Sequence, residues 1–89
     1  MYDKVTILQK KNDDGTKTQM WFVESSNGKR WLLRKDFIEE YVLTQSIFYP
    51  DGEIGRKNGN DHYKKLLEEG YKFKKRFIVE KTYTIRDWE

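Results

Sequence analysis

The dipeptide Asn27-Gly28, set between two runs that alternate apolar and polar residues, constrains this chain most. Asn and Gly tolerate the positive φ angles of a type I′ turn, whose twist matches that of two paired strands. Thr16–Ser25 and Lys29–Arg34 are therefore predicted to be antiparallel neighbours. A two-residue loop places Ser26 opposite Lys29, Glu24 opposite Trp31 and Phe22 opposite Leu33. On the other face, Val23 meets Leu32 and Trp21 meets Arg34. Met20, Phe22, Trp31 and Leu33 are then the core face, while Trp21, Val23, Leu32, Arg30 and Arg34 form a mixed face.

The flanking segments extend this hairpin. Tyr2–Lys10 reads as a strand, with Val5 and Ile7 on one side and Thr6 and Leu8 on the other, and Asn12-Asp13-Asp14-Gly15 is a turn. Asp36-Phe37-Ile38-Glu39 has the form of a capping box, so a short helix carrying Phe37 and Tyr41 and ending near Thr44 is predicted. Tyr49-Pro50-Asp51-Gly52 is a turn that would join two short strands, Ser46–Tyr49 and Glu53–Gly55. A loop at 55–60 follows. A second helix begins at Asn60 or Asp61 and ends at Glu69, with Gly70 as its C-cap. Tyr71–Trp88 alternates throughout: Tyr71, Phe73, Phe77, Val79, Tyr83 and Ile85 share one parity. Such a run would exceed about 50 Å if straight, against about 30 Å for the diameter of a domain this size. It must bend, bulge or break, and Lys75 and Lys81 mark the places.

The reading is an α+β fold: one small domain over 1–89, with a mainly antiparallel twisted sheet (an N-terminal three-stranded meander and a long C-terminal strand) packed with two short helices. With no alanine and 16% aromatic residues, a few large rings must build the core. The absence of cysteine excludes disulfides and thiol chemistry, and it points to a cytoplasmic setting. No apolar run is long enough to span a bilayer, so no membrane partner is expected.

Net charge is a mild +3, with the excess at the C-terminal end, where Lys72, Lys74, Lys75, Arg76, Lys81 and Arg86 outnumber Glu80, Asp87 and Glu89. Alternation would expose Lys72, Lys74 and Arg76 in a row about 7 Å apart, a spacing able to track a phosphodiester backbone. A solvated face that discourages edge pairing is the plainer alternative. Trp21 beside Arg30 and Arg34 forms a second candidate patch, since Trp and Arg are enriched in binding hot spots. Burial of Trp21 under the first helix is the alternative. The loop carrying Arg56, Lys57, Asn58 and Asn60 precedes a helix N-terminus, where free backbone N–H groups attract anions, though a polar connection would look the same.

His62 is the sole histidine, and with no cysteine a zinc site has no ligand set. The acidic pairs Asp13-Asp14, Glu39-Glu40 and Glu68-Glu69 are sequence neighbours and do not converge as acid–base partners. No catalytic constellation, cofactor, metal or small-molecule substrate is therefore expected. The residues favour a binding module that engages nucleic acid through a basic strand face. The alternative is a small phage-type or mobile-element-type inhibitor or adaptor that binds a host protein, for which an unpaired strand edge would serve.

Overall fold

The computed structural model describes residues 2–39 and 41–80. Five strands and one helix occur in the order β1 (Tyr2–Lys11), β2 (Lys17–Ser25), β3 (Arg30–Ile38), β4 (Tyr41–Phe48), α1 (Glu53–Glu68) and β5 (Lys72–Glu80). The strands form one antiparallel sheet in the order β4-β3-β2-β1-β5. This is α+β, with one helix among the described residues where two were expected in the chain. The α1 segment links the two edge strands, crossing the sheet face that bears Leu8, Met20 and Leu32.

The Asn27-Gly28 hairpin forms, with a loop one residue longer than expected. Ser25 N–H donates to Lys29 O at 2.9 Å and Gly28 N–H donates to Ser25 O at 3.0 Å. Ser26, Asn27 and Gly28 make the loop, and only Gly28 takes a positive φ, of 88°. This is the three-residue hairpin, closed by a left-handed glycine. The Asn27 side chain accepts from Lys29 N–H at 3.2 Å, bracing the turn from inside. The register becomes Glu24 opposite Arg30, Val23 opposite Trp31, Phe22 opposite Leu32, Trp21 opposite Leu33 and Met20 opposite Arg34. A one-residue slip exchanges the faces of a whole strand. Leu32, Arg30 and Arg34 thus join Met20 and Phe22 on the α1 side, while Trp31 and Leu33 join Trp21 and Val23 on the opposite side.

The expected helix from Asp36 is instead the end of β3 and the start of β4. The Asp36 carboxylate is used across the sheet: it accepts from the Thr18 hydroxyl at 2.9 Å and pairs with Arg34 at 3.1 Å. Ile38, Tyr41, Val42 and Thr44 are β-branched or aromatic and suit a pleated surface better than a helix. Chain reversal begins at Glu39, which takes φ 56°, and Ile38 pairs with Tyr41.

The helix begins at Glu53, well before the expected Asn60, so Pro50 leads into a helix and the excursion is no hairpin. Glycines at 55 and 59 read as loop residues because each costs about 1 kcal/mol in a helix. Packing requires the first: a Cβ on Gly55 would lie 1.6 Å from the Pro50 carbonyl oxygen. At the other end Gly70 N–H donates to Leu67 O and Tyr71 N–H to Leu66 O, the paired bonds of a Schellman motif. Leu66 and Tyr71, the apolar pair of that motif, enter the core with Leu8, Met20 and Leu32. Val5, Ile7 and Val23 form a second cluster on the other face, with Trp21, Trp31, Leu33, Phe77 and Val79 packed against it.

In β5 the ladder slips once. Arg76 opposes Thr6 and Lys75 opposes Ile7, but Phe73 opposes Leu8 and Lys72 opposes Gln9, which leaves Lys74 as the extra residue of a bulge. The expected irregularity at Lys75 is therefore found one residue away. The continuation of the strand through Lys81, Tyr83, Ile85 and Trp88 lies outside the described residues. No helix among the described residues is long and apolar enough to cross a membrane.

Candidate functional site

Between the sheet and the N-terminal half of α1 lies a cleft of about 460 Å³. Its sheet wall carries Lys4 and Thr6 from β1, Phe22 and Glu24 from β2, Arg30 from β3 and Arg76 from β5. Strand alternation and the register align these on the α1 side, since Thr6 opposes both Phe22 and Arg76, and Glu24 opposes both Lys4 and Arg30. The helix wall carries Arg56, Gly59, Asn60 and Tyr63, whose spacings of three and four place them on one helical face. Tyr49, just after β4, closes the end.

Four cations thus meet one carboxylate. Glu24 pairs with Arg30 at 3.3 Å, a half-exposed contact of small energetic weight. Among the described residues, Lys4, Arg56 and Arg76 form no ion pair. Arg76 Nε donates to Thr6 Oγ1 at 3.1 Å, which fixes its guanidinium at the cleft wall. The aromatic lining is also set by contacts: Phe22 lies edge-on to Tyr63, centroids 5.5 Å apart, and edge-on to His62 at 6.2 Å. Tyr49 Oη and His62 Nδ1 are hydrogen-bonded at 2.9 Å, and burial pushes the Tyr49 hydroxyl above its ordinary pKa. His62 is thus half-buried beside the aromatic wall, bonded to Tyr49 and edge-on to Phe22. Among the described residues no three His, Cys, Asp or Glu side chains gather to hold a metal ion. The cleft offers cations for an anionic ligand, beside the half-buried rings of Phe22, Tyr49 and Tyr63.

The structure separates the residues that the alternation had grouped. Arg76 points to the α1 side, whereas Lys72 sits opposite Gln9 on the other side, because the bulge at Lys74 inverts the parity of the strand. Lys74 Nζ donates to Gln9 Oε1 at 2.8 Å, at the end of a chain that runs through Gln19 to Trp21 Nε1. The proposed row of Lys72, Lys74 and Arg76 therefore does not exist. Phe73, expected inside, is set opposite Leu8 by the bulge and is 55% exposed.

The patch of Trp21 with Arg30 and Arg34 also fails, since the hairpin register puts the two arginines on the face opposite Trp21. Among the described residues no helix covers Trp21. Lys35 Nζ sits 3.8 Å from the centre of its ring, and Phe77 packs edge-on against it. Arg34 is held by Asp36 outside the cleft. The anion loop is the interior of α1, whose backbone N–H groups are spent within the helix. Of its residues, Arg56 and Asn60 face the cleft, while Lys57 and Asn58 are exposed away from it.

Arg30, Arg56, Asn60 and Arg76 are thus brought together from three separately proposed sites. Lys4, Phe22, Tyr49 and Tyr63 complete the group and were not singled out beforehand. The spacing of Arg56, Asn60 and Tyr63 held the signal, readable once the helix is begun at Glu53. Compared with protein-family models, with curated proteins and with solved structures, the chain matches none.

Proposed function

We propose that the chain is a non-catalytic module that binds single-stranded nucleic acid in the cleft between α1 and the sheet. The observation that carries this reading is the convergence of Lys4, Arg30, Arg56 and Arg76 around Phe22 and Tyr63. Cations neutralise phosphates and release counterions, and aromatic faces take unstacked bases at about 1–3 kcal/mol each. A cleft of this size suits one or two nucleotides at its centre, with the strand running on across the exposed sheet wall. A duplex would keep its bases stacked and away from the rings, so single strands are the better ligand.

The test is an anisotropy titration with labelled single-stranded DNA, single-stranded RNA and duplex DNA at low and moderate salt. Single strands are expected to bind more tightly than duplex, with a log–log salt slope of about −2 for three phosphates contacted. The Arg56→Glu/Arg76→Glu variant should lose most of that affinity while keeping its circular dichroism. Absence of binding at low salt, or an unaffected double variant, overturns the reading. Nuclease-insensitive retention of a host protein through the same cations would put a protein partner in its place.

A further inference from the structure

The two edges of the sheet are built differently. On β5 the outer edge is guarded by Lys72, Lys74, Lys75 and Arg76 and broken by a bulge, two devices that oppose strand addition. By contrast β4 has the sequence Tyr-Val-Leu-Thr-Gln-Ser-Ile-Phe, eight consecutive uncharged residues in a chain that is 37% charged. Every residue of it is exposed, including Tyr41 at 70% and Phe48 at 75%. It pairs with β3 on one side, and among the described residues no strand pairs with the other.

The backbone of this edge is regular. Tyr49 N–H donates to Arg30 O at 3.1 Å, which fixes the alternation along the strand. Odd-numbered residues direct their N–H and C=O groups to β3, and Val42, Thr44, Ser46 and Phe48 direct theirs outward.

We propose that β4 pairs antiparallel with β4 of a second copy of this chain, about a twofold axis through Gln45, to make a continuous ten-stranded sheet. The side chains favour this register. It sets Val42 against Phe48 of the second copy, Leu43 against Ile47, Thr44 against Ser46 and Gln45 against Gln45. Apolar residues meet apolar residues and polar meet polar along the whole strand. The outward groups of Val42, Thr44, Ser46 and Phe48 find outward groups, giving about eight main-chain hydrogen bonds. On the face away from α1, the existing Trp31–Phe48 contact, centroids 6.4 Å apart, continues through Val42 and Phe37 of the second copy. A shift of two residues, centred on Thr44, sets Leu43 against Gln45 and Val42 against Ser46, mixing apolar with polar. A twofold axis normal to the sheet also leaves both α1 clefts on the same side of the dimer.

The test is sedimentation or light scattering across roughly 1–100 µM, within the ordinary range of homodimer affinities. A dimer is expected. Thr44→Pro removes an outward N–H without touching the β3 ladder, and should give a folded monomer. Should that variant misfold, Val42→Lys places a charge on the same edge and should act likewise. Gln45→Cys supplies the only thiol of a cysteine-free chain. In this register the two copies of residue 45 form a non-hydrogen-bonded pair with Cα atoms about 4.5 Å apart, within disulfide reach. Mild oxidation should therefore give a disulfide-linked dimer with Gln45→Cys and little with Thr44→Cys. A wild-type chain that stays monomeric over the range, a dimer that survives both edge variants, or cross-linking favoured at position 44 overturns the proposal. Loss of nucleic-acid binding by the cleft variants leaves these readouts unmoved.

Discussion

Arg76 Nε and Thr6 Oγ1 are joined at 3.1 Å across the β1–β5 ladder, linking residues 70 positions apart in sequence. Thr6 is buried, so the bond holds one end of the guanidinium and leaves the rest free for an anion. Thr6→Val keeps the branched shape and removes the acceptor. Affinity for a single-stranded oligonucleotide is expected to fall about three- to tenfold, and for Arg76→Ala about tenfold or more. Because Thr6 acts through Arg76, the double variant should bind no worse than Arg76→Ala alone. Fully additive losses in the titration would separate the two residues.

Charge reversal on the two sides of the sheet distinguishes a cleft from a general basic character. Lys72→Glu/Lys74→Glu and Arg56→Glu/Arg76→Glu change net charge equally. Lys72 and Lys74 do not line the cleft, and Lys72 lies on the other side of the sheet. At physiological ionic strength charges are screened over about 8 Å. The lysine pair is therefore expected to change oligonucleotide affinity less than about twofold, and the arginine pair by well over tenfold. Equal losses would mean that overall charge, and not the cleft, does the binding.

The parts legible in the sequence were those set by strict alternation or by a local cap. The β1–β2–β3 meander, the facing of Thr6 and Leu8 against Val5 and Ile7, and the helix end at Gly70 all follow from one residue's preference repeated or one residue's geometry. What was misread turns on distant partners. Asp36 caps no helix because Thr18 and Arg34 claim its carboxylate. Gly55 looked like loop because its need, the close approach of Pro50, appears only in three dimensions. The hairpin register depended on Asn27 bonding inside a three-residue loop, and that single residue decided the faces of Arg30 and Arg34. The bulge at Lys74 did the same for Lys72 and Arg76. The cleft was illegible as a unit since its cations come from three strands and a helix that starts seven residues before the expected Asn60.

Gly55 and Gly59 are expected to respond to alanine with opposite signs. A methyl group on Gly55 would run into the Pro50 carbonyl and force the helix away from the turn. Overpacking of this kind costs about 1–3 kcal/mol, outweighing the helix preference of alanine. At Gly59 the added Cβ would meet only the Tyr49 ring at 4.0 Å, an ordinary contact. There Gly59→Ala should stabilise by about 0.5–1 kcal/mol through helix propensity. Urea unfolding of the two variants reads both effects, and a stabilised Gly55→Ala would contradict the close packing described.

Burial holds the Tyr49 and Tyr71 hydroxyls above their ordinary pKa of about 10. The protonated phenol is the neutral form, so on unfolding both groups would ionise at lower pH than they do in the fold. Their contribution to stability is therefore complete below about pH 10 and is lost as pH rises through the folded values. Lysine deprotonation overlaps this range, so the comparison must be with variants and not with pH alone. Tyr71→Phe keeps the ring packed against Leu66 and Leu8 and removes the ionisable group. Urea midpoints measured from pH 8 upward should decline above about 10 in the wild type and decline less steeply in Tyr71→Phe. Tyr49→Phe should flatten the slope in the same way, while lowering stability at neutral pH because His62 loses its partner. Parallel curves for all three proteins would show that neither hydroxyl is held protonated by the fold.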